Sequence, residues 1–93
     1  MNPLRECCET PDLLSLLRED LVGELQAINQ YQSHISEITD ESTKKVLESI
    51  RNEEKVHVGE LLTLIESIDP VQHDNLVAGN AEVCTILNEL ERK

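Results

Sequence analysis

The stretch Leu47-Glu48-Ser49-Ile50-Arg51-Asn52-Glu53-Glu54-Lys55-Val56-His57-Val58-Gly59-Glu60-Leu61 decides the fold. Its apolar residues recur every three to four positions, the spacing of one helix face. Extended, this seam runs Leu47, Ile50, Glu54, His57, Leu61, Leu64, Ile68. Upstream a second seam runs Leu14, Leu17, Leu21, Glu24, Ile28, Tyr31, Ile35, Ile38. Both are heptad seams sustained for about four repeats. Glu24 alone interrupts the first with an ionisable group; Glu54 and His57 interrupt the second.

The boundaries follow from capping chemistry. Thr10-Pro11-Asp12 is a helix start: Thr10 can cap, Pro11 suits the first helical position, and Asp12 favours the positive end of the dipole. Thr39-Asp40-Glu41-Ser42 carries cap-type residues and breaks the apolar pattern, which predicts a tight turn. The helices then span about 11–38 and about 41–68, each ~40 Å long. Asp69-Pro70 ends the second. Residues 71–79 read as a connection, and Asn80 as the cap of a last helix over about 81–92. Its apolar positions Val83, Ile86, Leu87 and Leu90 have helical spacing. The expected fold is all-α and a single domain over 1–93, an antiparallel two-helix hairpin plus a short C-terminal helix.

Ninety-three residues allow one small domain. A lone chain this short buries only roughly 60–65% of its unfolded surface. Tyr31 is the single aromatic residue, so Leu, Ile and Val must build the core, and other chains are expected to complete the burial. Nineteen acidic against eight basic residues, net −11, disfavour nucleic acid and anionic membrane surfaces and suit cations, metal ions included. No run approaches the ~18 apolar residues of a membrane span. The N-terminus lacks an apolar signal core, so secretion is not expected. Cys7 and Cys8 are adjacent, Cys84 is remote and no CxxC occurs; free thiols in a reducing cytoplasm fit this count.

In an antiparallel hairpin, residues at one height have numbers with a constant sum. Tyr31 opposite Leu47 sets Ile28 against Ile50, Glu24 against Glu54, Leu21 against His57 and Leu17 against Leu61. The ionisable interruptions therefore meet at one level. A lone seam Glu is more often a register device, and a lone His a satisfied core residue. Three at one level indicate a site. A buried carboxylate costs several kcal/mol unless paired or metal-bound, and His57 is the only partner in the seam. Glu54 and His57, spaced i, i+3, aim a carboxylate oxygen and an imidazole nitrogen at one point.

One hairpin supplies only three ligands and leaves its seam open to water. Two hairpins about a two-fold axis make a four-helix bundle and gather two copies each of Glu24, Glu54 and His57. That set matches the known di-iron carboxylate pattern, one Glu from each of two helices and Glu-x-x-His from each of the others. Mixed oxygen and nitrogen donors suit iron or manganese and can hold zinc.

Glu24-Leu25-Gln26-Ala27-Ile28-Asn29-Gln30-Tyr31, with His34 three further on, resembles the first ligand helix of bacterioferritins. Glu53-Glu54-Lys55-Val56-His57 resembles their Glu-x-x-His helix. Bacterioferritins carry the pattern twice; a half-length chain carrying it once resembles the encapsulated ferritins of the ferritin-like superfamily. The resemblance covers roughly residues 13–68. It implies Glu24, Glu54 and His57 as iron ligands, Tyr31 near the centre, and a ring of homodimers. It also implies Fe(II) oxidation at a site shared between subunits, for iron storage or detoxification in the cytoplasm or inside an encapsulin shell. In this reading Glu54 bridges the irons, while Glu24 and His57 are terminal. The chain departs from the pattern at Gln30, where encapsulated ferritins tend to have Trp, and at Gln26, where a second carboxylate would draw iron in. Residues 87–93 read as amphipathic helix rather than as a cargo peptide.

Two rival readings remain. A rubrerythrin-like peroxide reductase shares the di-iron set, but a rubredoxin-type CxxC pair is missing from the sequence. A non-catalytic helical oligomer, with structural zinc or no metal, would tolerate Leu at Glu24 or His57. His34 and His73 read as surface histidines, and Glu53 and Glu60 as solvated neighbours of the site. Leu25, Val58 and Ile65 widen the apolar stripe. Gly23 and Gly59, each costing about 1 kcal/mol in a helix against Ala, fall off the seams on the outer face.

Overall fold

The computed structural model describes residues 12–91. They form three α-helices and, among the described residues, no strand: α1, Leu13–Glu37; α2, Glu41–Ile68; and α3, Pro70–Glu91. Thr10 and Pro11 of the expected helix start, and the thiols of Cys7 and Cys8, lie outside the described residues. Asp12 is the residue before α1, in an extended conformation with no side-chain cap bond.

The turn falls where the capping residues predict it. Ile38 leaves the helical conformation (φ −88°, ψ 136°), and its N–H donates to the His34 carbonyl. Two residues on, Asp40 starts α2. Its Oδ2 accepts from the Thr43 hydroxyl at 2.6 Å, the Thr43 N–H at 3.0 Å and the Ser42 hydroxyl at 2.9 Å. These bonds, the Thr43 hydroxyl foremost, stabilise the carboxylate and hold the Asp40 pKa below its ordinary value of 3.8.

α1 and α2 pack antiparallel along the predicted seams. All eight α1 seam positions, Leu14 through Ile38, are half-buried or buried. In α2 the first half keeps the expected line at Leu47, Ile50 and Glu54, but the second half does not. Ile65, expected at the flank, is the most buried side chain at 2% exposure, whereas Leu64 is 46% exposed and Ile68 39%. Val58 is half-buried and His57 exposed. The cause is geometric. A straight helix turns every 3.6 residues, so a strict 3.5-residue seam drifts about 20° per heptad. At about 100° per residue, Val58 and Ile65 lie within about 20° of Leu47 around α2 while His57 and Leu64 lie about 80–100° to one side, and the contact line passes to Val58, Leu61 and Ile65. His57, Leu64 and Ile68 are left on a neighbouring open face. Leu25, also expected to widen the stripe, is 48% exposed. Side bonds fix the hairpin at two heights: Arg18 to Asp69 at 3.0 Å and Arg51 to Gln32 at 2.7 Å.

The C-terminal helix corrects two expectations. It is neither short nor begun at Asn80. It starts at Pro70 and runs 22 residues, so the expected connection 71–79 is helical and Asn80 lies mid-helix. Asp69-Pro70 is a start as well as a stop. The Asp69 Oδ1 accepts the Gln72 N–H at 3.2 Å, and Pro70 fills the first helical position, where a missing N–H costs nothing. Across the corner, His73 Nδ1 lies 2.8 Å from Glu66 Oε1. Beyond this first turn α3 leaves the hairpin, and Val83, Ile86, Leu87 and Leu90 are all more than half exposed.

Among the described residues only Ile35 and Ile65 are buried, while fifteen large apolar side chains are exposed. The radius of gyration is 18.7 Å, against about 12 Å for a compact domain of this length. Monomeric soluble proteins rarely expose apolar surface on this scale.

Candidate metal centre

Glu24, Glu54 and His57 converge. One ligand atom from each lies within 4.8 Å of the others. His57 Nδ1 is 3.4 Å from Glu54 Oε2 and 3.5 Å from Glu24 Oε2. The expected match in height of Glu24 and Glu54 across the hairpin is therefore met, and the i, i+3 step places His57 beside both. The two carboxylates are largely covered, with side chains 26% and 19% exposed, while the imidazole is 46% exposed. No Lys or Arg pairs with either carboxylate among the described residues.

The two imidazole–carboxylate separations are compatible with a shared cation. Separations of 3.4–3.5 Å exceed the 2.7–3.2 Å of good N–H···O bonds. Two donors about 2.1 Å from a shared ion stand about 3.0–3.4 Å apart at bond angles near 90–110°. Two anionic oxygens and one imidazole nitrogen form a donor set for iron, manganese or zinc. One hairpin offers no fourth protein ligand among the described residues.

Tyr31, predicted near the centre, is half-buried on the α1 seam, seven residues from Glu24 and so about 10 Å along the axis. His34 is exposed, and so is His73, which pairs with Glu66 away from the site. Cys84 is exposed on α3 with no disulfide partner among the described residues.

A cleft of about 570 Å³ opens beside the three residues, walled by Gly23 and Glu24 of α1 and by His57 and Leu61 of α2. The exposed carboxylates Glu19, Asp20 and Glu60 complete its lining. Gly23 is thus not on an indifferent outer face. The signal for this was available: Asp20 lies one turn before Glu24, and Glu60 three residues after His57. Gly59 borders a separate shallow groove with Val56, Thr63 and Leu64.

An antiparallel helical hairpin that gathers two glutamates and a Glu-x-x-His histidine at one level is half of a ferritin-like bundle. Comparison with solved structures agrees. The encapsulated ferritin domain of Pyrococcus furiosus superposes with a TM-score of 0.75 at 36% identity, covering 89% of each chain. A ferritin-like–encapsulin shell fusion protein of the same organism is 39% identical over 72 residues, 77% of this chain. An encapsulin nanocompartment cargo protein of Myxococcus xanthus is 34% identical over 61 residues, 66% of this chain. The chain spans 21% of the first relative and 47% of the second. No family model matches it. The chain belongs to the encapsulated ferritins. No helix among the described residues is long and apolar enough to cross a membrane.

Proposed function

We propose that two copies of this chain join their Glu24, Glu54 and His57 side chains into one centre that binds two Fe(II) ions as substrate and oxidises them. The observation that carries the reading is the convergence of the three ligand atoms within 4.8 Å. The same geometry leaves the set one-sided. His57 faces outward with Leu64 and Ile68 on the open face of α2, where a second hairpin brings the remaining ligands and covers apolar surface.

Each residue has a role set by its position. In this reading Glu54, on α2 beside His57, is the bridging carboxylate. Glu24 is a terminal carboxylate from the facing helix. His57 donates through Nδ1, the ring nitrogen turned toward both carboxylates. Four carboxylates from two chains balance the charge of two divalent ions. Two Fe(II) give up one electron each, and with two protons they reduce O₂ to hydrogen peroxide, leaving two Fe(III). The protein contributes geometry and charge, and the electron transfer belongs to the metal. The two curated relatives carry encapsulin in their names, which supports a place as cargo inside an encapsulin nanocompartment, delivering ferric iron for storage.

The test is anaerobic titration with Fe(II), followed by admission of oxygen, with ferric absorbance and native mass recorded. Two irons per two chains and a near-ultraviolet ferric band are expected, both lost in Glu54→Ala. A chain that stays monomeric and takes up no iron contradicts the reading.

A further inference from the structure

We propose that the side of α2 turned away from His57 receives α3 of a further copy of this chain, with Lys44 and Arg51 meeting Glu82 and Glu89 of that helix. The inference goes beyond the metal reading and takes from it only the pair of chains as the unit that joins.

Charge is sorted by element. Apart from Arg18, every Lys and Arg among the described residues lies on α2 between Lys44 and Lys55. At about 100° per residue, Lys44, Arg51 and Lys55 fall within about 40° of one another around the helix and about 120–160° from His57. A copy seated over His57 therefore leaves this stripe uncovered. None of the three is ion-paired among the described residues. Arg51 binds only amide oxygens, of Gln32 at 2.7 Å and Asn52 at 3.2 Å. Leu25 is seven residues before Gln32, so it shares that side of α1, and it is exposed.

α3 has the opposite character. From Pro70 to Glu91 it carries Asp74, Glu82, Glu89 and Glu91 and neither Lys nor Arg. Leu76, Val83, Ile86, Leu87 and Leu90 are all exposed and fall within about 100° of one another around the helix. Glu82 and Glu89 border that apolar strip on one side and Glu91 on the other. Glu82 and Glu89 are seven residues apart, as are Lys44 and Arg51, which is about 10.5 Å along either helix. An apolar strip edged by carboxylates thus matches a row of cations beside an exposed leucine. Two α3 helices laid together would instead set Glu82 and Glu89 against like charges. The net charge of −11 repels nucleic acid. Exposed ion pairs are weak singly. A pair of chains presents two stripes and two α3 helices, so the contacts reinforce one another between pairs and not between single chains.

The test is charge exchange in the full-length chain. A stripe variant carries Lys44→Glu with Arg51→Glu, and a helix variant carries Glu82→Lys with Glu89→Lys. Each is purified separately, and native mass, circular dichroism and cobalt(II) binding without oxygen are recorded alone and after equimolar mixing. Wild type is expected to exceed the mass of two chains. Each variant alone is expected to stop at two chains, with helicity and cobalt binding unchanged. The mixture is expected to regain the wild-type mass, because each variant then supplies the charge that the other needs. Wild-type mass in either variant alone, or a mixture that stays at two chains, overturns the contact. A wild type of only two chains overturns it as well, and so does a variant that falls to a single chain, since the stripe would then serve the pair at the centre. Wild type that binds no cobalt contradicts the metal reading, while recovery of mass on mixing still upholds this one.

Discussion

Asp40 shows what one side chain does at the hairpin turn. One carboxylate oxygen accepts three bonds from Ser42 and Thr43, which closes the first turn of α2. The folded chain holds its proton less tightly than the unfolded chain does, because the folded pKa lies below 3.8. The stabilisation is therefore whole above the unfolded value and is lost as pH falls through the lower, folded one. Asp40→Ala is expected to lower the urea midpoint clearly at pH 7, and the gap to wild type to narrow as the pH is taken from 7 to below 3.8. Midpoints measured across that range check it, and a gap independent of pH would count against the cap. At this scale much was legible. The turn followed from Thr39-Asp40-Glu41-Ser42, and the meeting of Glu24 with Glu54 from their position numbers alone. The setting of Gly23 was legible only indirectly, through Asp20 one turn before Glu24 and Glu60 three residues after His57.

At the scale of elements, α1 followed its seam at every position while α2 departed from it after Glu54. A seam read at a strict 3.5-residue spacing drifts away from the face of a helix that turns every 3.6 residues. This moved Ile65 to the centre and turned His57 and Leu64 outward. Ile65→Ala is expected to cost about 3 kcal/mol, as loss of a fully buried aliphatic side chain does. Gly59→Ala is expected to stabilise α2 by about 1 kcal/mol, since the added methyl meets nothing within 4 Å. Urea denaturation of both variants checks the pair, and an Ile65→Ala effect no larger than that of Leu64→Ala would contradict the shifted contact line. The start of α3 was missed for a different reason. Asp69-Pro70 has equal meaning as a stop and as a cap with its first helical residue, and only the Gln72 N–H bond to Asp69 shows that both hold.

As a whole molecule, the chain exposes fifteen large apolar side chains among the described residues, which supports the proposed pairing. The open face of α2 carries Val46, Leu64 and Ile68 at 60%, 46% and 39% exposure, on the same side as His57. Leu64→Glu is expected to give a helical chain of single mass that has lost cation binding, while wild type has at least twice that mass. Native mass spectrometry with circular dichroism checks this. A Leu64→Glu protein that still pairs would place the interface elsewhere. Asp69 adds a consequence for assembly. It is the only residue between α2 and α3, so no linker absorbs changes in direction. The helix beyond it is 22 residues, about 33 Å long. A 10° change in its backbone torsion would swing the tip of this lever by about 6 Å. The clasp of Arg18 on Asp69 and of Glu66 on His73 sets the angle of that lever. In the proposed assembly of copies, angular tolerance rather than contact strength then sets how many can close on one another.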